Sequence, residues 1–199
     1  MNLLNRTAGL LGTAFCLALP VAAHSAGKAA SEAPMARALE SAMTPGEGQR
    51  RLDPLIGTFN VAIKTWVTPE GPPIESTAAS VNTWVLGGRF VQMMLNGDAP
   101  NAPFSGTGHV GYDNVTRNYQ AAWMDTGSTA ITLYTGKLDA SGKSVLLKGS
   151  VPNVLTGKPS PVELRMSIQV DGGHLTQLWG RGKGAKMVKL MELQYTEVK

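Results

Sequence analysis

The chain has 199 residues, with 18 lysines and arginines against 14 aspartates and glutamates, a formal net charge of +4. This length is enough for one domain with a hydrophobic core, and the small charge excess alone favours no class of partner. The single cysteine, Cys16, excludes an intrachain disulfide, so the stability of the fold must come from packing.

The first 23 residues have the pattern of a secretory signal peptide. Arg6 supplies a positive charge, residues 8–19 are apolar, and Val21-Ala22-Ala23 provides small residues for cleavage. We expect the mature chain to begin between Ala22 and Gly27 and to have no transmembrane segment, with a retained anchor as the alternative. A signal peptide on a disulfide-free chain favours the bacterial periplasm, or secretion from a bacterium.

The segment that follows, residues 24–51, differs from the rest of the chain. It is rich in Ala, Ser, Glu and Pro and contains no aromatic residue. The pattern predicts a tether with a short helix from Pro34 to Met43, ended by Thr44-Pro45-Gly46. Residues 52–199 then form the folded domain.

From Gly57 onward, apolar and polar residues alternate with the period of a β-strand. In "VELRMSIQV" (162–170) the alternate residues are apolar and those between them are polar. The turn signals between such runs leave no room for a helical crossover, so neighbouring strands must pair antiparallel. The fold class is therefore all-β, an antiparallel barrel whose closure removes exposed edges. The ten predicted strands lie near residues 57–68, 74–86, 89–97, 104–112, 118–126, 129–138, 144–151, 161–171, 174–182 and 186–197.

The stretch "FSGTGHVGYDN" (104–114) contains the spacing G-x-G-x-x-G, which in some proteins binds a dinucleotide. That function requires the third glycine to open a helix, so that helix amides contact the phosphates. Here Gly111 precedes a turn and another strand, so the sequence argues against a nucleotide site. We expect the glycines to bend the strand or to let a neighbouring side chain lie across it.

Several short motifs together resemble a bacterial family, the domain of unknown function 1579. They are "LIGTF" (55–59), "LGGRF" (86–90), "GYDNV" (111–115), "WMD" (123–125), "LTGK" (155–158) and "MELQYT" (191–196). The resemblance runs from about Leu52 to Val198 and implies a lipocalin-like, or calycin-like, β-barrel with no established activity. Phe59 stands where related barrels tend to have Trp. Its ring still provides an aromatic side chain that fills the barrel base.

Histidine chemistry is sparse in the predicted barrel. His174 follows a Gly-Gly turn and is expected to be exposed, whereas His109 lies in mid-strand. Metal sites need three or four converging ligands, so no metal site is predicted. No cofactor is predicted either, and the alternative is a haem held by His109 in an apolar pocket.

Two carboxylates are further catalytic candidates. Asp125 shares a strand face with Trp123, so it is either desolvated or paired, and Arg89 is the expected partner. Glu192 presents the same choice, with Arg165 as a candidate partner. His109, Asp125 and Glu192 are therefore the candidates for a general base.

The remaining signal is a set of soft apolar and aromatic side chains, which suit an adaptable cavity. We expect the barrel to bind a small apolar or amphiphilic molecule. The alternatives are an isomerase, hydratase or cyclase that uses the same cavity, and an envelope interaction protein with a solid barrel. The predicted ligand-binding residues are Arg89, Met93, His109, Trp123, Asp125 and Tyr195, with Arg89 and Asp125 near the mouth.

Four basic residues cluster near the last turn, and only Trp179 lies close to them. Nucleic-acid platforms interleave several aromatic residues with basic ones, so no nucleic-acid partner is expected. The pattern predicts a solvated hairpin tip, and the sequence is compatible with a homodimer. The four residues are Arg181, Lys183, Lys186 and Lys189.

Overall fold

A computed structural model describes residues 26–99, 102–168, 173–182, 184 and 186–199. The chain divides into two compact units, residues 1–38 and 39–199. The predicted signal peptide lies outside the described residues. Among the described residues, no helix is both long and apolar enough to cross a bilayer.

Two helices and a 3-10 turn precede the strands: α1 (Ala26–Met43), α2 (Glu47–Arg50) and the turn at Asp53–Leu55. Helix α1 ends where the sequence predicts but begins eight residues before Pro34, which lies inside it. A proline removes one backbone donor, and the alanine-rich residues before it favour the helical conformation enough to continue the helix.

Ten antiparallel strands form a closed barrel in which each strand pairs with its neighbours in sequence and β1 pairs with β10. This confirms the predicted all-β barrel and the number of its strands. The strands are β1 (Gly57–Thr65), β2 (Ile74–Val85), β3 (Phe90–Ala99), β4 (Ala102–Asp113), β5 (Asn118–Asp125), β6 (Thr132–Leu138), β7 (Ser144–Pro152), β8 (Pro159–Ile168), β9 (His174–Arg181) and β10 (Met187–Glu197).

Register decides which side chains face the barrel interior. Val61 of β1 is buried and pairs with Ala78 of β2 and Tyr195 of β10. Directly paired residues share a face of the sheet, and successive residues alternate between faces. Following these pairs around the barrel defines an inner row and an outer row on every strand.

The two ends of the barrel differ. At the closed end, which contains the turns 86–89 and 114–117, Leu52 and Leu55 are buried beside Phe59. Asn82 fastens this plug, because its Nδ2 donates to the Leu55 carbonyl at 2.8 Å, and its Oδ1 accepts from Ser80 Oγ at 2.8 Å. The open end contains the loops 66–73, 126–131 and 153–158.

The predicted tether is fastened to the closed end from Ser41 onward. Asn114 Nδ2 donates to the carbonyls of Ser41 and Thr44, both at 2.8 Å. Gln49 is buried, and its Nε2 donates to the Tyr112 carbonyl at 2.8 Å. These bonds join the segment to β4 and the turn after it, so this part of the chain closes the barrel base.

Candidate functional site

The half of the barrel toward the open end encloses a cavity of about 730 Å³. Its wall is mainly apolar, and the loop residues Gly127, Ser128 and Val154 border its mouth, where Val154 is 97% exposed. A solid barrel is therefore excluded. The inner-row residues of the wall are Ile63, Thr65, Ile74, Ser76, Ala78, Met93, Leu95, Gly97, Phe104, Gly108, Val110, Ala121, Trp123, Asp125, Thr132, Tyr134, Val151, Leu164, Met166, Thr176, Leu178, Met191, Leu193 and Tyr195.

Trp123 forms one wall of this cavity, and its indole lies across two glycines of β4. A methyl group added to Gly108 would lie 2.6 Å from indole Cε3, and one added to Gly106 would also collide with the ring. On the outer row, Gly111 is covered in the same way by the Phe90 ring. The G-x-G-x-x-G spacing thus makes room for aromatic rings inside a continuous strand, as the sequence argued.

Asp125 lies on the inner row two residues beyond Trp123, at the open end. Its Oδ2 accepts a hydrogen bond from Trp123 Nε1 at 2.7 Å, and its Oδ1 accepts from the Gly127 amide at 2.9 Å. The carboxylate therefore orients the indole and the start of the 126–131 loop. Each oxygen keeps acceptor capacity, since an ionised carboxylate has about four acceptor positions.

Three hydroxyl groups provide polar points deeper in the cavity. Burial, followed by the nearby Asp125 charge, raises the pKa of Tyr134 to about 12, and burial also raises the pKa of Tyr195. Both tyrosines are therefore neutral phenols at physiological pH. Thr176 is 7% exposed, and its buried Oγ1 has no hydrogen-bond partner among the described residues. A polar atom of a bound molecule would satisfy it.

Below the cavity, His174 lies in the packed half of the barrel, which corrects the expectation of an exposed turn residue. It is 0% exposed, stacks on Tyr195 with ring centroids 3.8 Å apart, and meets Phe59 edge-on at 4.9 Å. Neither ring nitrogen has a partner among the described residues, and burial lowers the pKa of His174 to about 4. The imidazole is neutral and serves as a core ring.

Four of the six predicted ligand-binding residues line the cavity from the inner row: Met93, Trp123, Asp125 and Tyr195. Whether they bind a ligand stays a prediction. His109 also borders the cavity, but it lies between the inner-row residues Gly108 and Val110 and pairs with Gln92 and Ala122. Its side chain therefore belongs to the outer row.

This position corrects the role considered for His109 as an interior base. It also removes the geometric basis for a haem held inside the barrel by that residue. Within the described parts of the chain, no three His, Cys, Asp or Glu side chains converge as a metal site.

The predicted Arg89–Asp125 pair is wrong, because the two residues lie at opposite ends of the barrel. Arg89 precedes Phe90, which pairs with Gly111, whereas Asp125 pairs with Gly106. The separation along the strands is about 20 Å at roughly 3.3 Å per residue. The Arg89 guanidinium instead donates to the carbonyls of Met43 at 2.7 Å and Leu86 at 3.1 Å, at the closed end.

Glu192 is also placed differently from the prediction. It lies on the outer row opposite Lys64 and Gln177, and its carboxylate accepts from Lys189 Nζ at 2.6 Å and from Gln177 Nε2 at 2.9 Å. These hydrogen bonds, the lysine's first, lower the pKa of Glu192. Arg165 is not its partner, and an ion-paired carboxylate outside the barrel is a structural group.

The prediction of a solvated hairpin tip is confirmed only in part. Arg181 and Lys186 are exposed, whereas Lys189 is half-buried and lies 5.2 Å from the Trp66 ring centroid and 5.7 Å from that of Trp179. Lys183 lies outside the described residues.

Sequence reasoning missed Thr176 and Ala121 as residues of the cavity wall. Both are small residues in strands where apolar and polar residues alternate. Nothing in that local pattern distinguishes a residue of a cavity wall from a residue of a packed core. Register was the missing information, since Ala121 pairs with Val110 and Tyr134 on the inner row.

Comparisons with known proteins agree with this architecture. The crystal structure of Rv2717c from M. tuberculosis is similar to the barrel, with a TM-score of 0.57 and 17% sequence identity, over 78% of this chain and 100% of that chain. At this identity the likeness concerns the fold alone. No curated protein matches the sequence significantly. A family model described as "Protein of unknown function (DUF1579)" matches residues 44–197, and the chain therefore belongs to the DUF1579 family.

Proposed function

We propose that this protein binds a small, mainly apolar or amphiphilic molecule inside its barrel, after export to the bacterial periplasm. The observation that supports this proposal is the cavity of about 730 Å³ with a mainly apolar wall and a mouth at the open end. Small-molecule sites usually have roughly 300–1,000 Å³ and a few placed polar groups. Asp125 and Thr176 are such groups here.

Binding is preferred to catalysis because of where the candidate bases lie. His109 and Glu192 belong to the outer row, and Glu192 is engaged in an ion pair. Asp125 faces the cavity, but it already holds the Trp123 indole and the Gly127 amide. A general base must reach a substrate proton, and this carboxylate is organised as a fixed acceptor at the mouth.

A pair of neighbouring alanines on β5 gives a direct test. Both alanines border the cavity, but the Ala121 side chain lies on the inner row, whereas the Ala122 side chain lies on the outer row opposite Leu133, which is exposed. We expect Ala121→Phe to fill cavity space and to weaken binding of the neutral apolar probe N-phenyl-1-naphthylamine at least about tenfold. Ala122→Phe is the matched control and should bind as the parent does.

Fluorescence titration measures both affinities, and thermal unfolding establishes that both variants are folded. Equal loss of binding in the two variants, or unchanged binding in Ala121→Phe, would count against a site inside the barrel. Native mass spectrometry of protein purified from its own periplasm would then identify the class of any retained molecule.

A further inference from the structure

Among the described residues that line the cavity, the side chains of aspartate, glutamate, lysine and arginine carry one sign of charge. Among the described wall residues, Asp98 and Asp125 contribute carboxylates, and no lysine or arginine is present. Asp125 lies on the inner row, whereas Asp98 pairs with Pro103 on the outer row and is exposed at the rim. Among the described side chains of the wall, an anionic head group would therefore meet only like charge.

By the strand register, the basic residues of the strands lie on the outer row: Lys64, Lys137, Lys148, Arg165, Arg181 and Lys189. Lys64, Lys148 and Lys189 lie on the outer row and pair with Glu75 at 3.6 Å, Glu163 at 3.6 Å and Glu192 at 2.6 Å. Each is already neutralised outside the barrel. The described wall therefore offers no counter-ion for a carboxylate, sulfate or phosphate head group.

The groups beside Asp125 suit a cation. One face of the Trp123 indole rests on Gly106 and Gly108, so its other face is directed toward the cavity that the residue lines. Aromatic faces attract ammonium groups, and more strongly where water is partly excluded. Asp125 holds the indole by its Nε1 and keeps acceptor capacity on both oxygens. A carboxylate and an aromatic face thus lie side by side at the open end.

We propose that the cavity selects amphiphiles with an ammonium head group over anionic ones of the same chain length. This inference rests on the proposed function and specifies its ligand class. The apolar tail enters toward Met166 and Leu193, and the head group stays between Asp125 and Trp123 near the mouth. A tail with a hydrogen-bonding atom gains a second contact at the Thr176 hydroxyl, which has no partner among the described residues.

Three probes with the same dodecyl chain test the selection: dodecyltrimethylammonium, dodecanol and laurate, each below its micellar concentration. Displacement of N-phenyl-1-naphthylamine gives their affinities for the full-length mature protein. We expect the ammonium probe to bind at least about tenfold more tightly than laurate, with dodecanol between them. This ranking needs no variant.

Asp125→Asn removes the charge and keeps a carbonyl oxygen for the indole. In this variant the ratio of ammonium to laurate affinity should fall about tenfold. Glu70→Gln, in the open-end loop 66–73, is exposed and outside the cavity wall, so it should change the ratio little because solvent screens that charge. Equal affinities of the ammonium probe and laurate in the parent, or an unchanged ratio in folded Asp125→Asn, would overturn the inference and leave apolar binding intact. If neither the fluorescent probe nor any dodecyl probe binds, the proposed function itself fails, and the inference with it.

Discussion

At the residue scale, His174 shows how burial changes a side chain's chemistry. Its imidazole is enclosed by Phe59 and Tyr195, without a hydrogen-bond partner among the described residues. Charging such a ring would cost more free energy than in water, so burial lowers its pKa from 6.5 to about 4. The buried neutral ring couples folding to pH.

The direction of this pH dependence follows from the pKa of His174, which is 6.5 in the unfolded chain and about 4 in the folded chain. Between pH 6.5 and about 4 the unfolded chain binds a proton that the folded chain does not. The contribution of His174 to the free energy of unfolding is therefore present above pH 6.5 and is lost as the pH falls toward 4, by up to about 3 kcal/mol. Urea unfolding across this range measures the change.

His174→Phe should remove this part of the pH dependence, because phenylalanine has no proton to gain. His109→Gln is the matched control, since it removes a histidine from the outer row and should leave the dependence in place. If the parent and His174→Phe show the same change in unfolding free energy across the range, the coupling does not arise at His174.

At the element scale, the packing of β5 on β4 depends on two glycines of β4, which have no side chain. Trp123 of β5 covers Gly106 and Gly108 of β4, and the Asp125 carboxylate fixes the indole at 2.7 Å. Glycine weakens a strand because it has no side chain to pack, and a ring on the neighbouring strand compensates. The glycines of β4 therefore determine where the cavity wall lies.

Gly108→Ala should disturb this pair of strands. The added methyl would lie 2.6 Å from the indole and 2.8 Å from the Ala122 carbonyl oxygen, and the second contact involves backbone that a rotamer change cannot move. We expect a loss of about 1–3 kcal/mol of unfolding free energy, measured by urea denaturation, and a shift in tryptophan fluorescence. Thr107→Val, on the outer row of the same strand, should change stability by less than about 0.5 kcal/mol. A neutral Gly108→Ala would show that the ring does not rest on this glycine.

At the scale of the whole molecule, the barrel is packed in one half and hollow in the other. Leu52, Leu55 and Phe59 fill the closed end, whereas the open end encloses the cavity. The two halves share the same strands, so a single strand pair contains both environments. Leu147 of β7 is 0% exposed and is not part of the cavity wall, while its partner Leu164 of β8 lines the cavity.

Truncation of these paired leucines should therefore have unequal costs. Leu147→Ala leaves a new void in close-packed surroundings and should cost about 2–5 kcal/mol. Leu164→Ala enlarges a cavity that already exists and should cost at least about 1 kcal/mol less, with a change in affinity for N-phenyl-1-naphthylamine that Leu147→Ala lacks. Chemical denaturation and probe titration measure the two effects. Equal costs would indicate that the wall at Leu164 is as tightly packed as the core.

The sequence by itself determined the strands, their order and their antiparallel pairing. Alternation such as that of residues 162–170 is a local property, and connections too short for a crossover permit only a meander. The same local information argued against a nucleotide site at Gly106–Gly111, because the sequence predicts a turn and a strand after Gly111 where such a site requires a helix. It also placed Trp123 and Asp125 on one face, since residues two apart in a strand always share a face.

Only the tertiary structure decided which face is the interior and which end of the barrel is open. A shift of one residue in register exchanges the two faces, so His109 and Gly108 could not be assigned to sides from a single strand. Arg89 and Asp125 are separated by the length of the barrel, a distance that depends on the pairing of β3, β4 and β5. His174 is buried because β1, which is distant in sequence, supplies Phe59 and the paired strand β10 supplies Tyr195 around it. These properties arise from long-range pairing, which local sequence does not encode.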